Sequence, residues 1–229
     1  MGIRSFTFAA TDTTSNALSR TLHLLAFHPE TQERLRAEVL EAHKLHNGDI
    51  PYDTLVSLPF LDAVCRETLR LHPPVPKVTR ICRRDTVLPL LTPIKGVDGH
   101  DMKSILVPKD TTIFIAILNA NRDPLLWGPD SLEWTPDRWL SPLPEALHEA
   151  HMPGIYSHLL TFLGGGRACI GFKFSQLEMK VVLSTLVSQF RFYPPKKEIS
   201  WKFGVITTPT LEDSPETPQL PLIVELVKG

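Results

Sequence analysis

The chain has 229 residues, of which 42% are hydrophobic and 21% are charged, and its formal net charge is −1. These values are typical of a globular protein and give no sign of binding to nucleic acid or to an anionic membrane. No apolar run reaches the length of a membrane span and the first residues lack a signal-peptide layout, so the chain as written is expected to be soluble and cytoplasmic. Three cysteines are too few for a disulfide framework and match no paired zinc motif.

Three helices are predicted in the first 72 residues. The first covers about 5–26, where leucines recur at helical spacing. The second begins at Pro29, because proline is common at the first helical position, and it ends before the turn at 47–48. The third covers 57–72, and the proline pair that follows ends it.

After Pro76 the pattern changes to short apolar runs separated by glycine and proline, which predicts β-strands. These runs cover residues 78–82, 86–90, 104–107 and 111–118. A stretch of weak periodicity follows at 119–157, then a strong helical pattern over 171–190, and finally hairpin strands over 201–226 around a proline-rich turn. The expected fold class is therefore α+β, mainly α with small β-sheets.

The segment Phe-Leu-Gly-Gly-Gly-Arg-Ala-Cys-Ile-Gly at 162–171 lies immediately before the last predicted helix. A thiolate at Cys169 would face unpaired backbone N–H groups and the positive end of the helix dipole, which both favour the charged form. The glycines let the backbone approach a flat partner, and Arg167 supplies a cation for a carboxylate. These are the parts that hold a haem, although a glycine-rich turn beside a buried cysteine is the alternative interpretation.

As a whole, this segment fulfils the pattern Phe-x-x-Gly-x-Arg-x-Cys-x-Gly and resembles the cytochrome P-450 family, with microsomal and fungal members the most similar. The resemblance implies haem b as cofactor, Cys169 as the axial ligand of its iron, and Phe162, Gly165, Arg167 and Gly171 as cofactor-binding residues. It further implies that 1–229 is one partial domain, the C-terminal half of the P-450 fold. Its parts would be a distal helix (5–26), a Glu-x-x-Arg helix (57–72), a haem-binding loop (162–171) and a proximal helix (171–190).

Two Glu-x-x-Arg pairs occur in predicted helices, at Glu33/Arg36 and at Glu67/Arg70, and the members of each pair share a helix face. The first pair is interpreted as a solvated face. The second lies in an apolar helix, where a charged pair needs further partners. By resemblance to the family, Arg138 completes this network, within Pro-Asp-Arg-Trp where the commoner form reads Pro-Glu-Arg-Phe. The network is interpreted as a structural lock and not as catalytic.

The segment Ala-Ala-Thr-Asp-Thr-Thr at 9–14 is either a weak stretch of helix or a proton relay facing a cavity. It is similar to the distal-helix motif of the family. The resemblance implies that Thr13 hydrogen-bonds dioxygen in the active site and that Asp12 supplies protons. Ala10 stands at the position of the usual glycine, and its methyl group would narrow the groove for oxygen.

Arg80 follows a proline-rich segment and matches, by resemblance, a second arginine that binds a haem propionate. Val75 and Val78 would then line the substrate pocket, with packing in a small sheet as the alternative interpretation. Lys173 and Lys180 are interpreted either as part of a basic face for an electron donor or as ordinary surface lysines.

The resemblance also implies a monooxygenase that inserts one atom of dioxygen into a small apolar substrate, with electrons from an NADPH–cytochrome reductase. A full-length relative would lie at the endoplasmic-reticulum membrane, held only by an N-terminal anchor that this chain lacks. Two other functions stay open at this point. One is a truncated, catalytically inactive haem-binding fragment, and the other is a haem-thiolate isomerase of peroxides, which the Asp12–Thr13 pair argues against.

Overall fold

The computed structural model describes residues 3–227, with side chains from Phe6 onwards, and helices dominate it. The predicted α+β class is confirmed. The helices of the described residues are α1 (Ile3–Phe27), α2 (Pro29–Leu45), α3 (Tyr52–Ser57), α4 (Pro59–Leu71), α5 (Ile117–Ala120), α6 (Pro124–Trp127), α7 (Glu145–Glu149) and α8 (Phe172–Gln189). Two short 3-10 turns, Pro136–Leu140 and Gly165–Arg167, complete the helical structure.

The strands of the described residues form small antiparallel pairs and no large sheet. The pairs are β1 (Val78–Ile81) with β4 (Thr112–Ile115), β2 (Thr86–Lys95) with β3 (Asp101–Val107), β5 (Phe190–Tyr193) with β8 (Ile223–Leu226), and β6 (Ile199–Lys202) with β7 (Thr208–Leu211).

The core lies where α1, α2, α4 and α8 pack against one another. Each of these helices contributes a leucine with no exposed surface: Leu25, Leu35, Leu61 and Leu183. Burying such a side chain stabilises the fold by about 1.5–3 kcal/mol. No helix in residues 3–227 combines the length and the apolar character that crossing a membrane requires.

The third predicted helix is present as α4 but begins two residues later than expected, and the short helix α3 before it was not predicted. Helix α3 ends at Ser57, Leu58 is extended with a ψ of 113°, and α4 begins at Pro59. Proline disfavours a helical conformation of the residue before it, so the break falls at Leu58. The strand predicted over 111–118 also ends early, since the chain turns into α5 two residues after Ile115.

The hairpin predicted over 201–226 is only partly correct. Strands β6 and β7 pair as a hairpin, but β8 pairs with β5, which directly follows α8. The C-terminal residues therefore return to the end of α8 and pair with the strand that follows it.

The prediction of a solvated face for Glu33 and Arg36 is wrong for the arginine. The Arg36 side chain is only 4% exposed, whereas that of Glu33 is 47% exposed. The Arg36 guanidinium donates to the backbone oxygens of Val187 and Phe190 at 2.8 and 2.7 Å. It thus satisfies carbonyl groups that the C-terminus of a helix leaves free.

Candidate active site

The glycine-rich loop is folded back on itself immediately before α8. The Cys169 N–H donates to the Phe162 oxygen at 2.9 Å, and the Ala168 N–H donates to the Gly165 oxygen at 3.1 Å. The Phe162 ring is buried and meets the Tyr156 ring edge to face at a centroid distance of 5.5 Å. These contacts hold the exposed Cys169 beside Gly171, the N-cap residue of α8.

The glycines of this loop have different physical roles. A Cβ on Gly164 would lie 1.8 Å from the Pro153 backbone oxygen, so this glycine permits a close approach within the chain itself. Gly165 has a φ of +66°, a conformation that side-chain-bearing residues rarely adopt. Gly166 and Gly171 face open space, with no atom within 4 Å of a built Cβ.

A cavity of about 190 Å³ lies above this loop and collects residues from distant parts of the sequence. Cys169 and Arg167 line one side, Thr13 of α1 lines another, and Val75 and Val78 close it from the segment after α4. Most of the remaining wall is apolar. The cavity lining therefore includes residues from the four predicted segments: the distal helix, the Glu-x-x-Arg helix, the glycine-rich loop and the proximal helix.

Asp12 and Arg80 lie outside this cavity. Asp12 lines a separate cavity of about 430 Å³ with Ile206 of the C-terminal region. Neighbouring residues on a helix point about 100° apart, so Asp12 and Thr13 face different spaces. The Thr13 hydroxyl donates to the Ala9 oxygen at 2.8 Å. Arg80 is exposed on β1, where its guanidinium donates to the Thr79 oxygen at 2.9 Å.

Glu67 and Arg70 form a fully buried ion pair on α4, each with 0% side-chain exposure. Two hydrogen bonds of 2.8 Å join the guanidinium to the two carboxylate oxygens. The remaining N–H groups of Arg70 donate to backbone oxygens of the irregular segment between α5 and the 3-10 turn at 136–140, namely those of Asn121, Ser131 and Glu133. Every charge in this pair is therefore compensated, which a buried pair requires.

Arg138 contacts Glu67, but its strongest contacts are with Asp130. Its Nη1 and Nη2 donate to the two Asp130 carboxylate oxygens at 3.1 and 2.8 Å, while its Nε lies 3.5 Å from Glu67 Oε1. The hydrogen bonds from Arg138 lower the pKa of Asp130 below its usual range. Arg138 thus joins Glu67 to the irregular segment.

Sequence reasoning missed two members of the network. Trp139 Nε1 donates to Glu67 Oε2 at 2.9 Å. The signal was available, since Trp139 stands where the commoner form of the motif has phenylalanine, which has no donor. Asn121 is fully buried; its amide donates to the Thr161 hydroxyl and its oxygen accepts from the Leu160 N–H. It lies in a stretch without periodicity, where no sequence signal marked it.

Trp139→Phe is expected to lower the free energy of unfolding by about 1–3 kcal/mol, because it removes a donor from a buried carboxylate. Urea unfolding followed by circular dichroism measures the change. Trp134→Phe is the matched control, since Trp134 Nε1 donates to the neutral Thr68 hydroxyl and its loss is expected to have a smaller effect. Equal effects of the two variants would contradict this assignment.

Lys180 does not belong to a basic surface. Its side chain is 4% exposed and its Nζ lies 2.6 Å from Asp62 Oδ1 and 2.7 Å from the Val56 backbone oxygen. Both interpretations of this lysine, as a docking residue and as an ordinary surface residue, are therefore wrong. Lys173 is exposed, as expected of either interpretation.

Comparison with known proteins identifies the family. The model of the cytochrome P450 family matches residues 2–212, and the chain belongs to this family. It is 56% identical over 226 residues to cytochrome P450 monooxygenase 91 of Postia placenta, covering 98% of this chain and 41% of that protein. It is 51% identical to ganoderic acid synthetase CYP5150L8 of Ganoderma lucidum, covering 96% of this chain and 41% of that protein.

The fold comparison agrees. A solved cytochrome P450, CYP102L1, superposes with a TM-score of 0.72 at 28% identity, covering 98% of this chain and 44% of that one. The chain thus spans about 41% of the length of the curated relatives it matches. The cofactor of this family and fold is haem b.

The residues around the main cavity fit this cofactor. Cys169 and Arg167 line the same space, and the Arg167 side chain forms no ion pair or hydrogen bond with residues 3–227. Haem needs a thiolate for its iron, a guanidinium for a propionate and apolar walls around its ring. The residues of this cavity provide all three. In the same part of the chain, no cluster of three or more His, Cys, Asp or Glu could hold a metal ion by side chains alone.

Proposed function

We propose that this chain forms the haem-binding part of a haem-thiolate monooxygenase, with Cys169 as the axial ligand. The observation that carries the proposal is the convergence of Cys169, Arg167 and Thr13 on one cavity, although Thr13 lies at the opposite end of the sequence. A thiol at the end of a glycine-rich loop, directly before a helix, stands where backbone N–H groups stabilise a thiolate.

The proposed roles of the protein groups follow from their positions. Arg167 binds one haem propionate. Arg80 binds the second after its side chain leaves the Thr79 oxygen, since β1 continues directly from the segment that lines the cavity. Phe162, Gly165 and Gly171 shape the loop against the ring, and Glu67, Arg70 and Arg138 stabilise the fold beneath it. Haem, when bound, supplies the iron at which dioxygen is activated.

Helix α1 separates two cavities, and this arrangement suggests how protons reach the site. Thr13 lines the main cavity, while Asp12 lines the cavity that includes Ile206. We therefore assign Asp12 as the group that takes up a proton on one side of the helix. Thr13 is assigned as the hydroxyl that hydrogen-bonds oxygen on the other side.

The substrate is proposed to be a small apolar molecule, because Val75 and Val78 and most other lining residues of the main cavity are apolar. Electrons are proposed to come from an NADPH–cytochrome reductase. A longer protein containing this chain would then lie at the endoplasmic-reticulum membrane. The names of the curated relatives, among them monooxygenases of Postia placenta, support the reaction class for this chain.

The test is the carbon-monoxide difference spectrum of the reduced, haem-reconstituted chain. The wild-type chain is expected to give a strongly red-shifted Soret band, which Cys169→Ala removes because the thiolate is lost. Cys82→Ala is the control, since Cys82 is half-buried beyond β1 and lines no part of the main cavity. A red-shifted band that survives in Cys169→Ala would refute the ligand assignment. Failure to take up haem would favour the non-catalytic alternative for this chain.

A further inference from the structure

A small, positively charged cleft lies further along α1 than the main cavity, since Arg20 follows Thr13 by two helical turns on the same face. It is independent of the proposed haem chemistry. It lies between α1, the turn after α4 and the C-terminal hairpin, and its volume is about 20 Å³. Arg20, His72, Arg122 and Thr207 line it, with the Trp201 ring as one wall. No ion pair of the described residues includes either of the two arginines.

Two hydrogen-bond donors in this cleft have no partner. Arg20 Nε is buried without a hydrogen bond, and its guanidinium lies over the Trp201 ring at 3.6 Å from the centroid. The Thr207 hydroxyl is also buried without a hydrogen bond, and the residue is 8% exposed. A buried donor that stays unsatisfied is unfavourable by about 1–3 kcal/mol, so two in one small space indicate a missing acceptor.

No group of the described residues accepts from these two donors, the Asn16 side chain of the same cleft included. Arg122 Nε and Nη2 donate to the Leu71 oxygen. Arg122 Nη2 donates to His72 Nδ1 at 3.2 Å, which uses the acceptor nitrogen of the ring. Burial, followed by the charges of Arg20 and Arg122, lowers the pKa of His72 to about 2, so the ring stays neutral. Burial and the Arg122 charge lower the pKa of Arg20 to about 9. The guanidinium groups therefore repel each other without a counter-charge.

We propose that this cleft binds one halide-sized monovalent anion, held by Arg20, Arg122 and the Thr207 hydroxyl. The space inside the cleft is about that of one water-sized particle, which favours a monatomic anion over phosphate, sulfate or the carboxylate of a larger ligand. A water molecule would satisfy the unpartnered donors but would leave the charge of two close guanidinium groups uncompensated. A halide satisfies both, and the Trp201 ring forms one wall of its site.

The test compares thermal unfolding of the chain in sodium chloride and in sodium gluconate at equal ionic strength, because gluconate is too large for the cleft. Chloride is expected to raise the unfolding temperature in a saturable way, by about 2–4 °C at concentrations well above its dissociation constant. Sodium formate forms a third arm. Stabilisation by formate but not by chloride would overturn the assignment to a halide.

Three variants locate the effect. Arg20→Met is expected to abolish the chloride response and to unfold at a higher temperature than wild type in gluconate, because an uncompensated buried charge is removed. Thr207→Val keeps the charges and is expected to weaken chloride binding about tenfold through the loss of one charge-assisted hydrogen bond. The exposed Arg84→Met is the control and keeps the full response. Equal unfolding temperatures in chloride and gluconate, or an undiminished response in Thr207→Val, would overturn the proposal even if Arg20→Met does not fold.

Discussion

Replacing Arg70 by methionine is expected to lower the free energy of unfolding by about 3–5 kcal/mol, the usual effect of removing one partner of a buried ion pair. The substitution leaves the carboxylate of Glu67 in a site with no solvent exposure. It also leaves three backbone oxygens without their donor, those of Asn121, Ser131 and Glu133, of which the first two form buried hydrogen bonds. Urea unfolding followed by circular dichroism measures the loss.

Arg66→Met is the matched control, since Arg66 lies one helical turn earlier on the same helix. The Arg66 side chain is 34% exposed and pairs with Asp62. Ion pairs with this degree of exposure contribute about 0–1 kcal/mol, so the control is expected to unfold at nearly the wild-type urea concentration. Similar losses for the two variants would show that the buried network has no special role in stability.

Gly164→Ala is expected to lower the free energy of unfolding by about 3 kcal/mol and to displace the loop that contains Cys169. Gly164 has an extended backbone with a φ of −152°, so the added methyl group introduces no conformational strain of its own. The effect comes from the clash, since the new Cβ would lie 1.8 Å from the Pro153 oxygen. The loop cannot withdraw freely, because the Ile155 N–H donates to the Leu163 oxygen at 3.0 Å.

Gly166→Ala provides the comparison within the same loop. Its new Cβ would meet no atom within 4 Å, and the change in unfolding free energy is expected to stay within about 0.5 kcal/mol. Urea unfolding of both variants, with the carbon-monoxide spectrum of the reconstituted chains as a second readout, separates packing of the loop from contact with the cofactor. Equal stability of Gly164→Ala and wild type would contradict the close approach to Pro153.

Local sequence patterns predicted the long helices and the loop before α8 because the relevant signals are short-range. Helical periodicity, a proline at a first turn and a glycine-rich run all act within a few residues. The pairing of β8 with β5 joins residues that are far apart in the sequence, such as Tyr193 and Ile223. No local pattern identifies the partner of a strand.

The same distinction explains the errors at charged residues. Arg36 occurs in polar surroundings in the sequence, and Lys180 occurs in an apolar stretch of helix, yet both are buried in the fold. Their partners include backbone oxygens on other elements, those of Val187 and Val56, and a backbone group leaves no trace in the pattern of side chains. The motif that contains Asp12 and Thr13 was visible in the sequence. The sequence did not indicate that the two residues line different cavities.

The contacts of Arg70 have a practical consequence for following the folding of this chain. Arg70 donates to backbone oxygens of the irregular segment and to none of its side chains. An outward-facing side chain of this segment can therefore be replaced without changing these contacts. Leu132, between two of the bonded residues, is 69% exposed. In a chain whose Cys82 and Cys169 are replaced by alanine, Leu132→Cys provides a site for a fluorescent label that reports when the segment docks against α4. The label would sit within one residue of the buried network without replacing any of its atoms.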